Sequence, residues 1–184
     1  MNTVINIQQA TIQLGRGVGG SLALASFQSS APVVGEPWKE EGGVLAGVMP
    51  AHEDQPAYYL IVPNASEAGA ELSWGPNDTV HGLSACDGKA NTALLIKADD
   101  DHPAAEFCDS LEIDGFNDFY LPSRREASLM AATVPLLFET GYHWTSTQNS
   151  ANYAIIQDFD DGIQGNDRKS VSRRVRAVRR LIIN

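Results

Sequence analysis

Apolar and polar positions change rhythm several times along the chain. Residues 2–14 alternate loosely, with Val4, Ile5 and Ile7 and then Ile12 and Leu14, and predict one or two short strands. Gly15, Gly17, Gly19 and Gly20 break that pattern. Residues 21–36 are small and polar, with Pro32 and Gly35, and read as an arm or linker rather than a core element. From Trp38 the texture is that of a folded domain. Gly42-Gly43 leads into Val44-Leu45-Ala46-Gly47-Val48-Met49. After a polar turn around Glu53-Asp54-Gln55 comes Tyr58-Tyr59-Leu60-Ile61-Val62-Pro63. Two antiparallel strands with a glycine bend fit this order, closed by a turn at Trp74-Gly75-Pro76-Asn77-Asp78.

Two helices are then predicted from their start signals. Asp101-His102-Pro103 opens the first, since proline in a first turn forfeits no hydrogen bond. Ala104, Phe107, Cys108 and Leu111 follow at helical spacing, which turns Cys108 toward the core. The second begins at Ser123 with Glu126 three residues on. This is a capping box, in which hydroxyl and carboxylate each satisfy an orphan backbone donor. Leu129, Met130 and Val134 form its apolar side until Pro135 ends it. After Gly141 the pattern is again that of strands: Trp144-Thr145-Ser146-Thr147, Ala154-Ile155-Ile156, and a final stretch from Val175 to Ile183. Strands, then helices, then strands predict an α+β fold rather than a βαβ series.

Composition adds one domain with an arm, divided as 1–36 and 37–184: 184 residues at 43% hydrophobic are enough to bury a core. Charge is unevenly spread. All 23 acidic residues lie in 1–167, against only Arg16, Lys39, Lys89, Lys97, Arg124 and Arg125, so that stretch carries 6 − 23 = −17. The last 17 residues hold the other seven basic residues and no acid, giving +7 and a net charge of −10. Either the basic segment is a strand laid against the acidic body, or it is a nucleic-acid-binding tail. Val171, Val175, Ala177, Val178, Leu181, Ile182 and Ile183 interleave the basic residues and favour the strand, and the overall acidity speaks against a nucleic-acid partner. Cys86 and Cys108 make no CxxC and fit a reduced core pair at least as well as a disulfide. The first residues have no secretory pattern, and no apolar run reaches the ~18–20 residues that span a bilayer. The expectation is a chain made in the cytoplasm, without membrane insertion, whose later export would need a non-signal route such as release inside an assembled particle.

Candidate chemistry is sparse. Gly15-Arg16-Gly17-Val18-Gly19-Gly20 satisfies GxGxxG, but no amphipathic helix or parallel strand follows, so it reads as a hinge rather than a dinucleotide site. Asp158, Asp160, Asp161 and Asp167 invite calcium. Counted from Asp158, however, Gly162 is fifth and Lys169 twelfth, which breaks the EF-hand pattern and leaves only a looser oxygen site. The four histidines are isolated, Ser123 and Ser146 lack a nucleophile elbow, and no carboxylate pair stands out. The expectation is therefore a non-enzyme without a cofactor. What remains is a run of amide, hydroxyl and aromatic groups with the character of a recognition surface. Its candidate ligand-binding residues are Thr145, Gln148, Asn149, Asn152, Tyr153, Gln157, Asp160, Asp161, Gln164 and Asn166, with Trp144 and Phe159 assigned to the core.

Three segments carry a family resemblance: Phe119-Tyr120-Leu121-Pro122-Ser123-Arg124-Arg125-Glu126, Tyr142-His143-Trp144-Thr145-Ser146-Thr147, and Arg174-Val175-Arg176-Ala177-Val178-Arg179. With Asp118 before the first and Phe159-Asp160-Asp161-Gly162 after the second, they resemble the Lcl C-terminal-like domain family. Phe119 stands where that family has Trp, Ala127 where it has Leu, and His143 where many members have Tyr. Gly42-Gly43-Val44-Leu45-Ala46-Gly47, Leu60-Ile61-Val62 and Trp74-Gly75 extend the likeness to members encoded by tailed phages, over roughly 37–184. The resemblance implies a C-type-lectin-like fold: a twisted, mostly antiparallel sheet with two flanking helices, and Arg176 and Arg179 in a closing strand. Leu121, Pro122, Ser123, Glu126, Trp144, Phe159 and Gly162 would be its structural motif. It also implies a virion-surface role, either a receptor-binding or tail-fibre module or a capsid decoration protein. In that picture 1–36 docks onto another virion protein, the chain forms a homo-oligomer such as a trimer, and the ligand is a host receptor or glycan. A ligand-binding module of a bacterial envelope protein is the alternative. The E-P-N, Q-P-D and W-N-D sugar motifs and the late cysteine pair of related enzymes do not occur.

Overall fold

The two β-rich runs at the start of the domain pair as expected in the computed structural model, which describes residues 4–7, 10–13, 31–64 and 66–183. Strand β4 (Gly43–Met49) lies antiparallel to β5 (Tyr58–Pro63), with a bulge between Leu45 and Gly47. Gly47 sits at φ 151, and the Leu129 side chain comes within 3.2 Å of where a Cβ would be, a tight contact. On one side of the pair lies the short β3 (Pro37–Trp38), and on the other β11 (Arg179–Ile182), giving the order β11-β5-β4-β3. The second sheet runs β6-β10-β7-β8-β9, with β6 at Gly69–Leu72, β7 at Tyr142–Gln148, β8 at Tyr153–Asp158, β9 at Gln164–Arg168 and β10 at Arg173–Arg176. All its pairings are antiparallel except β10 with β7. The fold is α+β, with two mostly antiparallel sheets.

Two expectations need correction. The helices number three among the described residues: α1 (Gly88–Leu95), α2 (Pro103–Asp109) and α3 (Arg124–Thr133). The additional one, α1, starts where the Asp87 carboxylate accepts from Ala90 N at 2.9 Å. Its eight residues include a glycine and carry too little apolar periodicity to announce a helix. Nor is the closing segment one strand. It breaks at Ala177-Val178, so Arg176 ends a strand of one sheet and Arg179 begins a strand of the other. Val178 pairs with Tyr120 at the crossover.

Each sheet packs one face under helices. Val44, Leu60 and Val62 of the first sheet meet Ala127 and Met130 of α3, and Phe159 joins them. Beneath the second, Trp144, Ile156 and Val175 meet Ala105 and Cys108 of α2 and Leu95 of α1, around the fully buried Trp74. Both indole N–H groups are satisfied, Trp74 by the Thr145 carbonyl at 2.8 Å and Trp144 by that of Leu72 at 3.0 Å. Cys86 and Cys108 are free and buried. The basic residues of the closing segment fold against acids of the body: Arg179 bonds Glu41 and Asp118 at 2.8 Å each, Arg180 bonds Asp87 at 2.8 Å, and Arg174 bonds Glu139 at 3.0 Å.

Residues 1–30 form a separate unit, in which β1 (Val4–Ile7) and β2 (Ala10–Gln13) pair antiparallel, Val4 opposite Gln13. The GxGxxG run at 15–20 lies outside the described residues, as does most of the arm expected to dock. Residues 31–36 belong to the larger unit: Gly35 N donates to Leu45 O at 2.8 Å, and Ala31 packs beside Trp38, Leu45 and Ile61. No helix among the described residues is long and apolar enough to cross a membrane.

Candidate functional site

The recognition surface expected from the sequence does not hold together as one patch. Thr145 and Gln157 are fully buried. The Thr145 hydroxyl donates to Ile155 O at 3.0 Å, and the Gln157 amide donates to Asp158 O at 2.7 Å and accepts from Gln164 Nε2 at 3.0 Å. Both serve strand pairing, which is why hydroxyl and amide groups sit inside a sheet core at all. Gln164 is tied to α3, donating to Arg124 O at 2.6 Å, and Gln148 accepts from the buried Lys169 Nζ at 2.6 Å. Tyr153 is half-buried. The exposed members divide between two ends of the sheet. Asn149 and Asn152 occupy the β7–β8 turn, whereas Asp160 and Asp161 occupy the β8–β9 turn, about 17–20 Å away along β8. Asn166, also exposed, stands between them on β9, opposite Ile155. The aspartates are spent locally: Asp158 accepts from Asp160 N, Asp161 from Ile163 N, both at 2.9 Å, and Asp167 from Arg173 Nε at 2.9 Å. No group of three or more acids, histidines or cysteines among the described residues could hold a metal ion.

The structural motif, by contrast, forms one unit around Glu126. Ser123 caps α3 and Glu126 answers it, as the sequence pattern requires. The carboxylate then gathers five donors: Tyr58 and Tyr120 hydroxyls at 2.7 Å on one oxygen, and Ser123 N, Ser123 Oγ and Gly88 N at 2.6–3.0 Å on the other. Burial pushes its pKa above the ordinary carboxylate value, against the pull of those donors. The Arg180 guanidinium lies over the rings of both tyrosines and supplies the compensating charge. Ser146 N donates to Pro122 O at 2.8 Å, joining the Leu121-Pro122 segment to the strand of Trp144. Phe159 stacks on Phe138 at 3.6 Å, and Gly162 turns the chain at φ 77. These groups are saturated with partners and have no capacity left for a ligand.

A site with spare capacity lies on the outer face of the second sheet. Side chains alternate along a strand, so Val175 points into the core while Arg174 and Arg176 share the opposite face. Register then sets Arg174 between Glu71 of β6 and His143 of β7, and Arg176 beside Gly69. Gly69 contributes no side chain: a Cβ there would stand 3.7 Å from Arg176 Nη1. The resulting cavity of about 490 Å³ is walled by Asn64 and Ser66 on one side and by Leu137, Phe138 and Glu139 on the other.

The electrostatics of this pocket are unequal between floor and rim. Arg176 donates Nη2 to Pro63 O at 2.6 Å, yet its buried Nε has no partner among the described residues. Burial lowers its pKa from the usual guanidinium value, the mark of a charge held with too few partners. Arg174 reaches Glu139, whose side chain is 81% exposed, so that pair is weak and can be replaced by a ligand. His143 Nδ1 lies 3.0 Å from Gly141 O, which assigns the proton to Nδ1 and leaves Nε2 an acceptor. Burial lowers its pKa to about 4, so the ring is neutral near pH 7.

Arg176 was legible only as part of a strand, and Arg174, His143 and Gly69 carried no signal of a site. An R-V-R spacing in a strand does put two guanidinium groups on one face, which is a readable cue. The walls come from segments some 30 to 110 residues away in sequence, which no local pattern connects. No family model and no curated protein matches this chain.

Proposed function

We propose that the protein is a non-enzymatic binding module of C-type-lectin-like fold, carried on the surface of a tailed-phage virion, and that it holds an anionic group of its ligand in the Arg174–Arg176 pocket. The observation that carries this reading is Arg176, which lines an open cavity while its buried Nε–H has no partner among the described residues. A carboxylate or phosphate would complete it with a charge-assisted hydrogen bond and take Arg174 from its exposed partner. Rim carboxylates of Glu71 and Glu139 suit hydroxyl or ammonium donors, so the favoured ligand is a polyhydroxylated acid such as an acidic host glycan. The surface placement rests on the sequence resemblance. Between the two virion roles, the pocket favours receptor binding over capsid decoration.

Competition with phage adsorption tests the reading. Purified protein should block adsorption to host cells. Gly69→Val, whose Cβ meets its neighbours at ordinary van der Waals distance, and Arg174→Ala should each weaken that block at least about tenfold while the melting temperature stays nearly constant. Blocking that persists unchanged in both variants would refute the pocket. Particles lacking the protein that adsorb normally but fall apart on heating would favour decoration.

A further inference from the structure

We propose a second ligand site, separate from the arginine pocket, in the cleft between the β4–β5 hairpin and α3: it binds a small apolar monocarboxylic acid. The cleft has a volume of about 300 Å³, at the small end of ligand-binding cavities. Its walls are apolar, formed by Val48, Met49 and Pro50 at the end of β4 and by Leu129 of α3. Val48 remains 47% exposed at the mouth, although it belongs to a strand whose other residues are mostly buried.

Of the polar side chains that line this apolar space, the Ser128 hydroxyl is committed to Arg124 O and Gln164 Nε2, and three others can donate. Gln55 is the first. His52 and Gln55 exchange backbone bonds of 3.0 and 2.9 Å across a tight turn in which Glu53 takes φ 52. The buried Nε2 of Gln55 finds no partner among the described residues. The second is Arg125, on the same face of α3 as Ser128 and Leu129 by their spacing of three and four, with no ion pair among the described residues. The third is the His52 imidazole. No acidic side chain lines the cleft. The Tyr58 hydroxyl, at its inner end, is already committed to Glu126.

An amide N–H and a guanidinium, neither with a side-chain partner among the described residues, beside an apolar cavity with no acidic lining select a ligand with an anionic acceptor at one end and hydrocarbon at the other. The carboxylate takes a bond from Gln55 Nε2 and pairs with Arg125, and the hydrocarbon covers Val48, Met49 and Leu129. An alcohol of the same length lacks the charge, and an amine sets its positive charge beside that of Arg125 with no acid to answer it. Arg125 belongs to the sequence motif Leu121-Pro122-Ser123-Arg124-Arg125-Glu126, where its neighbours are explained by the helix cap and it is not.

The cleft carries its own reporter. Cys86 lines it, whereas Cys108 is fully buried in the core, so alkylation of the native protein reads Cys86. The experiment titrates the intact protein with octanoate, octan-1-ol and octylamine, following calorimetric heat and the rate of Cys86 alkylation. Octanoate should saturate and slow alkylation, octan-1-ol should bind at least about tenfold more weakly, and octylamine should not compete. Arg125→Ala and Gln55→Leu should each raise the octanoate Kd about tenfold or more. Val48→Trp, which blocks the mouth from a half-exposed strand position, should abolish binding without removing a polar group. Gly69→Val, in the other pocket, should leave the octanoate Kd unchanged, so the two readings fail independently. The proposal is overturned if octanoate does not saturate at millimolar concentration, if octylamine binds equally well, or if Arg125→Ala and Gln55→Leu both bind like the parent protein.

Discussion

A single buried carboxylate shows how much one residue can organise. Glu126 was legible as a cap, and the structure adds Tyr58, Tyr120 and Gly88, which reach it from β5, the segment before α3 and the start of α1. Three of its five contacts come from a hydroxyl, which can rotate and accept as well as donate. The other two are backbone N–H groups that can only donate, and both meet the same oxygen. Glu126→Gln can therefore keep its carbonyl oxygen toward Ser123 and Gly88 and turn its amide to the two phenols. Glu126→Ala leaves all five contacts empty in a site with no water access. We expect chemical denaturation to report a loss of about 1–2 kcal/mol for the glutamine and about 3–5 kcal/mol for the alanine. Equal losses in the two variants would show that the charge, rather than the shape of the acceptor, is what the site requires.

At the scale of elements, His143 clamps three of them. Its ring stands edge-on to Phe138, which follows the turn Pro135–Leu137, and to Phe159 at the end of β8, while its own strand β7 pairs with β10. Because burial lowers its pKa from 6.5 to about 4, the unfolded chain takes up the proton first. Stability from this group is complete above pH 6.5, falls as pH drops through the window to about 4, and is lost below it, by about 3 kcal/mol at most. His102, also lowered by burial, pulls the same way, so the comparison must be with a variant. His143→Phe keeps the aromatic edges and should flatten the fall in melting temperature between pH 6.5 and 4. The same residue marks the limit of sequence reading. Its strand was expected from Trp144-Thr145-Ser146-Thr147, as were β4, β5, α2 and α3, because each has a strong local pattern or a cap. The helix α1 and the short β6 lacked one. The mistaken assignment of Thr145 and Gln157 to a surface has a common cause: a hydroxyl or amide can leave the surface when a neighbouring strand meets its hydrogen bonds, and that strand is distant in sequence.

For the whole molecule, the uneven charge of the chain becomes a statement about cooperativity. The segment 173–184 supplies β10, which lies between β6 and β7 in one sheet, and β11, the edge partner of β5 in the other. Removing it deletes two strands from different sheets and exposes β5, β6 and β7 at once. It also removes Arg173, Arg174, Arg176, Arg179 and Arg180, taking the net charge from −10 to −10 − 5 = −15. Glu41 and Asp118 lose the guanidinium that rests on the Phe116 ring at 3.8 Å, and Asp87 loses Arg180. Charge repulsion alone would be screened within about 10 Å at 0.1 M salt, so added salt would restore a fold that had lost only its neutralisation. A fold that has lost its shared strands cannot be restored that way. We therefore expect the chain ending at residue 172 to give no near-ultraviolet circular dichroism and no cooperative melt, at low salt or at 1 M. A synthetic 173–184 peptide added in excess should restore the near-ultraviolet signal in proportion to its concentration. Recovery of the signal by salt alone would mean that the closing segment acts as a counter-charge, and that each sheet can close without it.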